Sequence, residues 1–144
     1  MNETDKCFEK GLLRKIKPDI ENAKASLEES QQNINDAKIH LENKLYKWTL
    51  IASYTSMFHA ARSLLYKDGV KERSHYCICA YIKEKYKNKI EPRYINELNM
   101  LREQRHQIFY GDENVKIKEV EEIEAETSVS IATGFLKEIK KIVN

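Results

Sequence analysis

The sequence predicts an all-helical fold, a compact bundle of five or six helices built around a long, central, apolar helix. The first observation is that the chain has only four glycines and two prolines, too few for a glycine-rich loop or a nucleotide-binding glycine fingerprint. The second is that alternating runs of branched residues are scarce, so we expect no sheet. The third is that apolar residues recur at helical spacing between separate turn signals.

Pro18 marks the first helix boundary, because proline is tolerated in the first turn of a helix but not in its interior. Residues 1–17 are therefore predicted to form a short leading helix or arm. A long amphipathic helix follows, from Pro18 to about Lys44.

The segment from 45 to 69 is the most apolar in the chain. It has no Asp, Glu, Lys or Arg between Trp48 and Ala61, which is typical of a central helix covered on several sides. The segment ends at Gly69, a residue type that commonly terminates helices.

Three further helices are predicted after this glycine. Ser74 caps the fourth helix, and Pro92 begins the fifth, which stops at Gly111. The last helix is predicted from Lys116 to Val143.

The length of 144 residues is typical of one domain, and we interpret residues 1–144 as a single helical domain. A chain of this size buries roughly two-thirds of its unfolded surface, so it needs no disulfide or metal to fold. Its three cysteines, an odd number, favour a reducing compartment over a disulfide framework. We therefore expect no disulfide and a cytoplasmic protein.

Charged residues make up 33% of the chain and almost cancel, at a net charge of +2. This balance gives no overall attraction to nucleic acid, although a local basic patch is compatible with it. No apolar run approaches the roughly 20 residues of a membrane span, and the sequence MNETDKCFEK is too polar for a secretory signal. We expect no association with a membrane.

The fifth predicted helix carries charged residues where apolar ones are expected. Arg102 and Arg105 fall within its apolar stripe, and His106 and Tyr110 lie on the flank of that stripe. A guanidinium group can grip a phosphate and a histidine can move a proton, so this row suits a phosphodiester. The alternative is that the arginines bridge carboxylates within the bundle or across a dimer interface.

A second polar row lies on the central helix, where His59 and Arg62 sit at the edge of the apolar face. It strengthens the phosphate hypothesis only if it faces the fifth helix. His75 follows the cap of the fourth helix and is included among the nucleotide- or RNA-binding residues. Cys77 and Cys79 point to opposite sides of that helix, so we expect no metal site and no cofactor.

The stretch WTLIASYTSMFHAARSLLYKDGVKERSHYCICAYI resembles the central part of a HEPN domain, especially of small stand-alone prokaryotic HEPN proteins. The later stretch LNMLREQRHQIFYGD resembles the arginine-bearing helix of that family, and ATGFLKEI resembles its closing segment. The likeness covers about residues 8–143. It rests on these elements: Tyr54, Met57-Phe58-His59-Ala60, Leu64-Leu65, Gly69 and Ser74-His75.

The resemblance implies a helical bundle that forms a homodimer and is often encoded beside a small nucleotidyltransferase. It also implies one of two activities. Many HEPN members are ribonucleases of toxin–antitoxin or defence systems with an Arg-x4–6-His motif at the dimer cleft, and others are non-catalytic modules that bind nucleotides or RNA. The sequence departs from the nuclease motif, because His106 comes one residue too early after Arg102 and Tyr110 stands where histidine would follow Arg105. Tyrosine has a reference pKa near 10, so Tyr110 is a poor general base, and accepting a nucleotidyl group is its other conceivable role.

Our leading hypothesis is a dimeric HEPN protein that binds nucleotide or RNA phosphate in a cleft between helices or at the dimer interface. It would be the partner of a small nucleotidyltransferase in a toxin–antitoxin-like system. The first alternative is a metal-independent endoribonuclease that uses Arg102 or Arg105 with His106 and attacks through the 2′-hydroxyl of the RNA. The second alternative is a non-catalytic dimeric interaction module.

Overall fold

The fold was determined as a computed structural model that describes residues 1–111 and 119–144. It confirms the predicted helical bundle, with six helices in those two ranges. The elements are α1 (Glu3–Glu9), β1 (Leu13–Lys15), α2 (Ile20–Glu42), α3 (Tyr46–Asp68), β2 (Val70–Glu72), α4 (His75–Tyr86), α5 (Pro92–Tyr110) and α6 (Glu122–Val143).

Helix α3 is the central helix that the sequence predicts, and α2, α4, α5 and α6 all pack against it. Its core-facing side chains include Tyr54, Met57 and Leu64, each with almost no solvent exposure. The helix ends at Gly69, whose backbone is left-handed with φ of 79°. A Cβ there would lie 2.7 Å from the carbonyl oxygen of Ile16, so glycine is required both by conformation and by space.

Small polar side chains let α2 and α6 approach α3 closely. Ser30 of α2 and Ser56 of α3 each donate a hydroxyl hydrogen bond to the other's carbonyl oxygen, at 2.8 Å in both cases. Ser128 of α6 donates to the hydroxyl of Ser53 at 3.0 Å. These buried hydroxyls are therefore satisfied, and burying them costs little.

The expectation of no sheet was wrong, because β1 and β2 form a small antiparallel pair. Leu13 pairs with Glu72, and Lys15 pairs with Val70. Each strand has only three residues, too few for the alternating pattern by which strands are recognised in sequence. This pair fixes Glu72 beside the end of α3, where it matters for the site described below.

The expectation of no disulfide was also wrong. Cys7 of α1 and Cys77 of α4 form a disulfide, with their Cα atoms 5.9 Å apart. The number of cysteines in a chain does not show which of them fold together, and these two are 70 residues apart in sequence. Cys79 stays a buried free thiol, and burial raises its pKa to about 11.

The remaining helix boundaries follow the predicted signals. The Ser74 hydroxyl accepts a hydrogen bond from the backbone N–H of Cys77 and so caps α4, while Pro92 is at the start of α5 and Gly111 follows its end. The described part of α6 begins at Glu122, and the predicted start at Lys116 lies outside the described residues. None of the helices in the described part of the chain has the length and apolar character needed to cross a membrane.

Candidate functional site

Two arginines on α5, Arg102 and Arg105, are half-buried and have no ion pair with a carboxylate of another element within the described residues. The Nε and Nη2 atoms of Arg102 donate to the Asn99 amide oxygen at 3.2 and 3.1 Å, and its ion pair with Glu103, at 3.6 Å, lies on the same helix. The guanidinium of Arg105 lies 5.0 Å from the centre of the Phe109 ring. Among residues 1–111 and 119–144, no carboxylate from another helix or strand forms an ion pair with either arginine. In that part of the chain, the carboxylate that pairs with these arginines is therefore Glu103, next to Arg102 on the same helix.

The positive charges of Arg102 and Arg105 act on the side chain of His75. It is the first residue of α4, and its Nδ1 atom shares a hydrogen bond of 2.7 Å with the hydroxyl of Tyr54 on α3. Its ring stacks on Phe58 with the ring centres 4.3 Å apart. These two contacts fix the orientation of the imidazole. Within the described residues, Nε2 has no hydrogen bond and is the ring nitrogen left for a ligand.

The pKa of His75 shows which charges surround it. Partial burial of the ring, and then the positive charge of Arg105, lower the pKa of His75 below its usual value. Arg102 and Arg62 act in the same direction, and Glu72 opposes them. Arginines of α3 and α5 thus act on the N-terminal end of α4, and the Arg102 guanidinium lies 5.5 Å from the ring centre of Tyr76, the residue after His75. An imidazole with a lowered pKa is largely neutral at pH 7, so it can accept a proton.

Arg62 is held differently from the arginines of α5. Its Nε and Nη2 atoms both donate to Oε1 of Glu72, at 3.0 and 2.6 Å, and its guanidinium lies 5.1 Å from the centre of the Phe58 ring. Glu72 is only 8% exposed. Arg62 therefore neutralises a buried carboxylate of the small sheet and adds only part of its charge to the site.

Within the described residues, the other predicted site residues make no hydrogen bond or ring contact with His75. His59 is half-buried, and its pKa is lowered by burial and by Arg62, while Glu29 of α2 and Glu72 oppose the shift. His106 and Tyr110 are exposed toward the end of α5, with their ring centres 4.8 Å apart. The structure thus gathers Arg62, Arg102, Arg105 and His75, and leaves His59, His106 and Tyr110 at its margin.

Sequence reasoning missed two contributors to this site. Tyr54, which holds His75, appeared only as an element of the family pattern, and Tyr76, whose ring centre is 5.5 Å from the Arg102 guanidinium, did not appear at all. The spacing of Tyr54 and Phe58, one helical turn apart, was the available signal for a shared face. Nothing in the sequence shows that α4 brings His75 onto that face.

Comparison with known proteins decides the family. The sequence profile described as "HEPN domain" matches residues 23–142. The chain belongs to the HEPN family. A similar protein is "Putative toxin MJ0605" from Methanocaldococcus jannaschii, with 31% identity over 138 residues, which are 92% of this chain and 95% of the relative. The range that the profile matches includes every residue of the cluster: Arg62, His75, Arg102 and Arg105. Cys7 and β1 precede this range.

Proposed function

We propose that this HEPN protein binds the phosphate of a nucleotide or an RNA at Arg102, Arg105 and His75. The observation that carries the proposal is that two half-buried arginines of α5 act on the N-terminal end of α4, with the Arg102 guanidinium 5.5 Å from the ring centre of Tyr76. Neither arginine has an acidic partner from another element of the described chain. A half-buried guanidinium is costly unless an anion meets it, and a phosphate does so with paired hydrogen bonds. The positive end of the α4 dipole favours the same ligand.

The proposal extends to the cellular role. The relative from Methanocaldococcus jannaschii is named "Putative toxin MJ0605". Together with the family resemblance, this name supports a homodimer in a toxin–antitoxin-like system, with a small nucleotidyltransferase as the partner. Arg62 would contribute a share of positive charge, with His59 beside it, and His106 and Tyr110 would lie near the edge of the bound ligand.

A second candidate function is metal-independent cleavage of RNA. It is favoured by one observation, the lowered pKa of His75 beside two arginines, because a neutral imidazole can take the proton of a 2′-hydroxyl. The 2′-oxygen would then attack the phosphorus to form a 2′,3′-cyclic phosphate. The bond to the 5′-oxygen would break, and that oxygen would take a proton from water. The arginines would stabilise the charge that builds on the phosphate. In this version His75, rather than His106, is the base.

The test of phosphate binding is fluorescence anisotropy with an end-labelled single-stranded RNA and the Arg105→Ala variant. We expect affinity to fall about tenfold or more, because hydrogen bonds to charged groups contribute about 1.5–3 kcal/mol each. Arg93→Ala is the matched control, since Arg93 lies on the same helix but is exposed and paired with Glu91 at 2.8 Å. Equal affinities for the two variants would refute the site. Light scattering of both separates a ligand role from an interface role, because a shift to monomer in Arg105→Ala alone would favour the interaction module.

The same RNA, incubated with excess chelator and resolved on a denaturing gel, tests cleavage. Loss of cleavage in His75→Ala but not in His106→Ala would assign the base to His75. Loss of cleavage in His106→Ala alone would assign the base to His106 on α5. If the RNA stays intact with the unmodified protein, the proposed function is RNA binding without cleavage.

A further inference from the structure

A groove lies beside the arginine cluster, between α1, α4 and α5, with a volume of about 610 Å³. This volume is within the roughly 300–1,000 Å³ typical of small-molecule sites. Two residues connect the groove to the cluster. Tyr76 lines the groove and directly follows His75, and Asn99 lines it while accepting the hydrogen bonds of Arg102.

The charge of the groove differs from that of the cluster. Lys83 and Lys87 line it together with Glu3 and Glu84, so its formal charges cancel. The cluster, in contrast, presents Arg102 and Arg105 without carboxylates from other elements of the described chain. A ligand that spans the two would have a neutral part in the groove and an anionic part at the cluster.

The groove also has the surfaces that a flat heterocycle needs. The Tyr76 ring is 45% exposed, and its hydroxyl donates to Oε2 of Glu3 at 2.8 Å, which holds the ring in place. Apolar surface is added by Cys79, Ala80, Ile95 and Met100. Bases stack well on such aromatic rings, and the stacking tolerates any base.

Asn96 supplies a polar edge to the groove. Its carboxamide is exposed and makes no hydrogen bond within residues 1–111 and 119–144, unlike that of Asn99, which is engaged by Arg102. A carboxamide offers a donor and an acceptor side by side, the arrangement that pairs with the edge of a base.

We propose that this groove holds the base of a nucleoside phosphate whose phosphate lies at Arg102, Arg105 and His75. The base stacks on Tyr76, and its edge meets Asn96. The inference rests on the proposed phosphate site and adds the place where the base of its ligand binds. That ligand is either a free nucleotide or one residue of a single-stranded RNA.

The experiment compares two ligands by calorimetry, AMP and ribose 5-phosphate, which have the same phosphate and differ in the base. We expect AMP to bind the unmodified protein about tenfold more tightly or better, in line with the energy of stacking one base. Tyr76→Ala should reduce AMP to the affinity of ribose 5-phosphate, whereas Tyr76→Phe should keep the preference. Asn96→Ala should lower AMP affinity and leave ribose 5-phosphate unchanged.

The outcomes separate the groove from the phosphate site. Equal affinity of the unmodified protein for the two ligands would overturn the proposal that the groove binds the base. The proposed phosphate site would be unaffected. Binding of neither ligand, and of no oligoadenylate, would overturn both proposals. Arg105→Ala should weaken both ligands by the same factor. A short oligoadenylate titrated beside AMP distinguishes the sources, because an RNA site would bind it more tightly and a closed nucleotide site would not.

Discussion

Arg62 on α3 and Arg105 on α5 share one local contact and differ in their ion pairs. Each guanidinium lies over a phenylalanine one turn away on its own helix, at 5.1 Å from Phe58 and 5.0 Å from Phe109. Of the two, only Arg62 pairs with a carboxylate among residues 1–111 and 119–144, the buried side chain of Glu72. An arginine on an apolar face thus takes two roles here, and the presence of an internal anion, rather than the helix pattern, separates a structural cation from one available to a ligand.

The largest expected effect is on stability. Arg62→Leu leaves the Glu72 carboxylate buried without its partner, and we expect the free energy of unfolding to fall by about 3 kcal/mol. Arg105→Leu leaves no buried carboxylate of the described chain unpaired, so its change should stay within about 0.5 kcal/mol. Urea denaturation of both variants measures these changes in the free energy of unfolding. Similar losses in the two variants would contradict the predicted difference between Arg62 and Arg105.

A second effect concerns the pKa values of two histidines. Burial lowers both pKa values, but the charge of Arg105 acts on His75 and is not among the charges that shift His59, where Arg62 acts instead. Arg105→Ala should therefore raise the pKa of His75 and leave that of His59 unchanged, as measured by NMR titration. An equal rise in the pKa values of both histidines would mean that the charge of Arg105 acts on both of them.

The same shifts set the sign of the pH dependence of stability. Because each histidine has a folded-state pKa below its usual value, the unfolded chain binds more protons in the window below about 6.5. The free energy of unfolding should therefore fall as the pH drops through that window and level off below the folded-state pKa values. The fall should be shallower in Arg105→Ala.

The smallest effect is expected at Glu103, the exposed carboxylate beside Arg102. Removing this surface ion pair in Glu103→Gln should change stability by less than about 0.5 kcal/mol. It should nevertheless strengthen RNA binding slightly at low salt, because it removes a negative charge next to Arg102. Glu97→Gln, on the same helix, serves as control, and weaker binding in Glu103→Gln would show that the carboxylate supports the site.

The fold was predictable because its signals are local. Gly69, Ser74 and Pro92 each act through the backbone of their own segment, and the apolar stretch of α3 needs no partner to be recognised. The small sheet was not predictable, because it depends on pairing between short strands that are far apart in sequence. The disulfide was missed for the same reason.

The residues of the candidate site also divide into those that local sequence signals predict and those that depend on contacts between distant segments. Arg102 and Arg105 stand out in sequence because a charge interrupts an apolar stripe on one helix. The role of His75 depends on Tyr54, 21 residues away on another helix, so no pattern within one element shows it. The sequence also gave equal weight to His106, which the fold leaves exposed, because helical spacing alone does not distinguish the face that meets α4.

The disulfide has a consequence for the covalent topology of the chain. Its bond between Cys7 and Cys77 closes a ring that contains β1, α2, α3, β2 and the first turn of α4, while α5 and α6 belong to an open tail. Cutting any single peptide bond inside the ring leaves both pieces covalently joined. Arg62 and His75 lie in the ring and Arg102 and Arg105 in the tail, so the site forms where the closed and open parts of the chain meet.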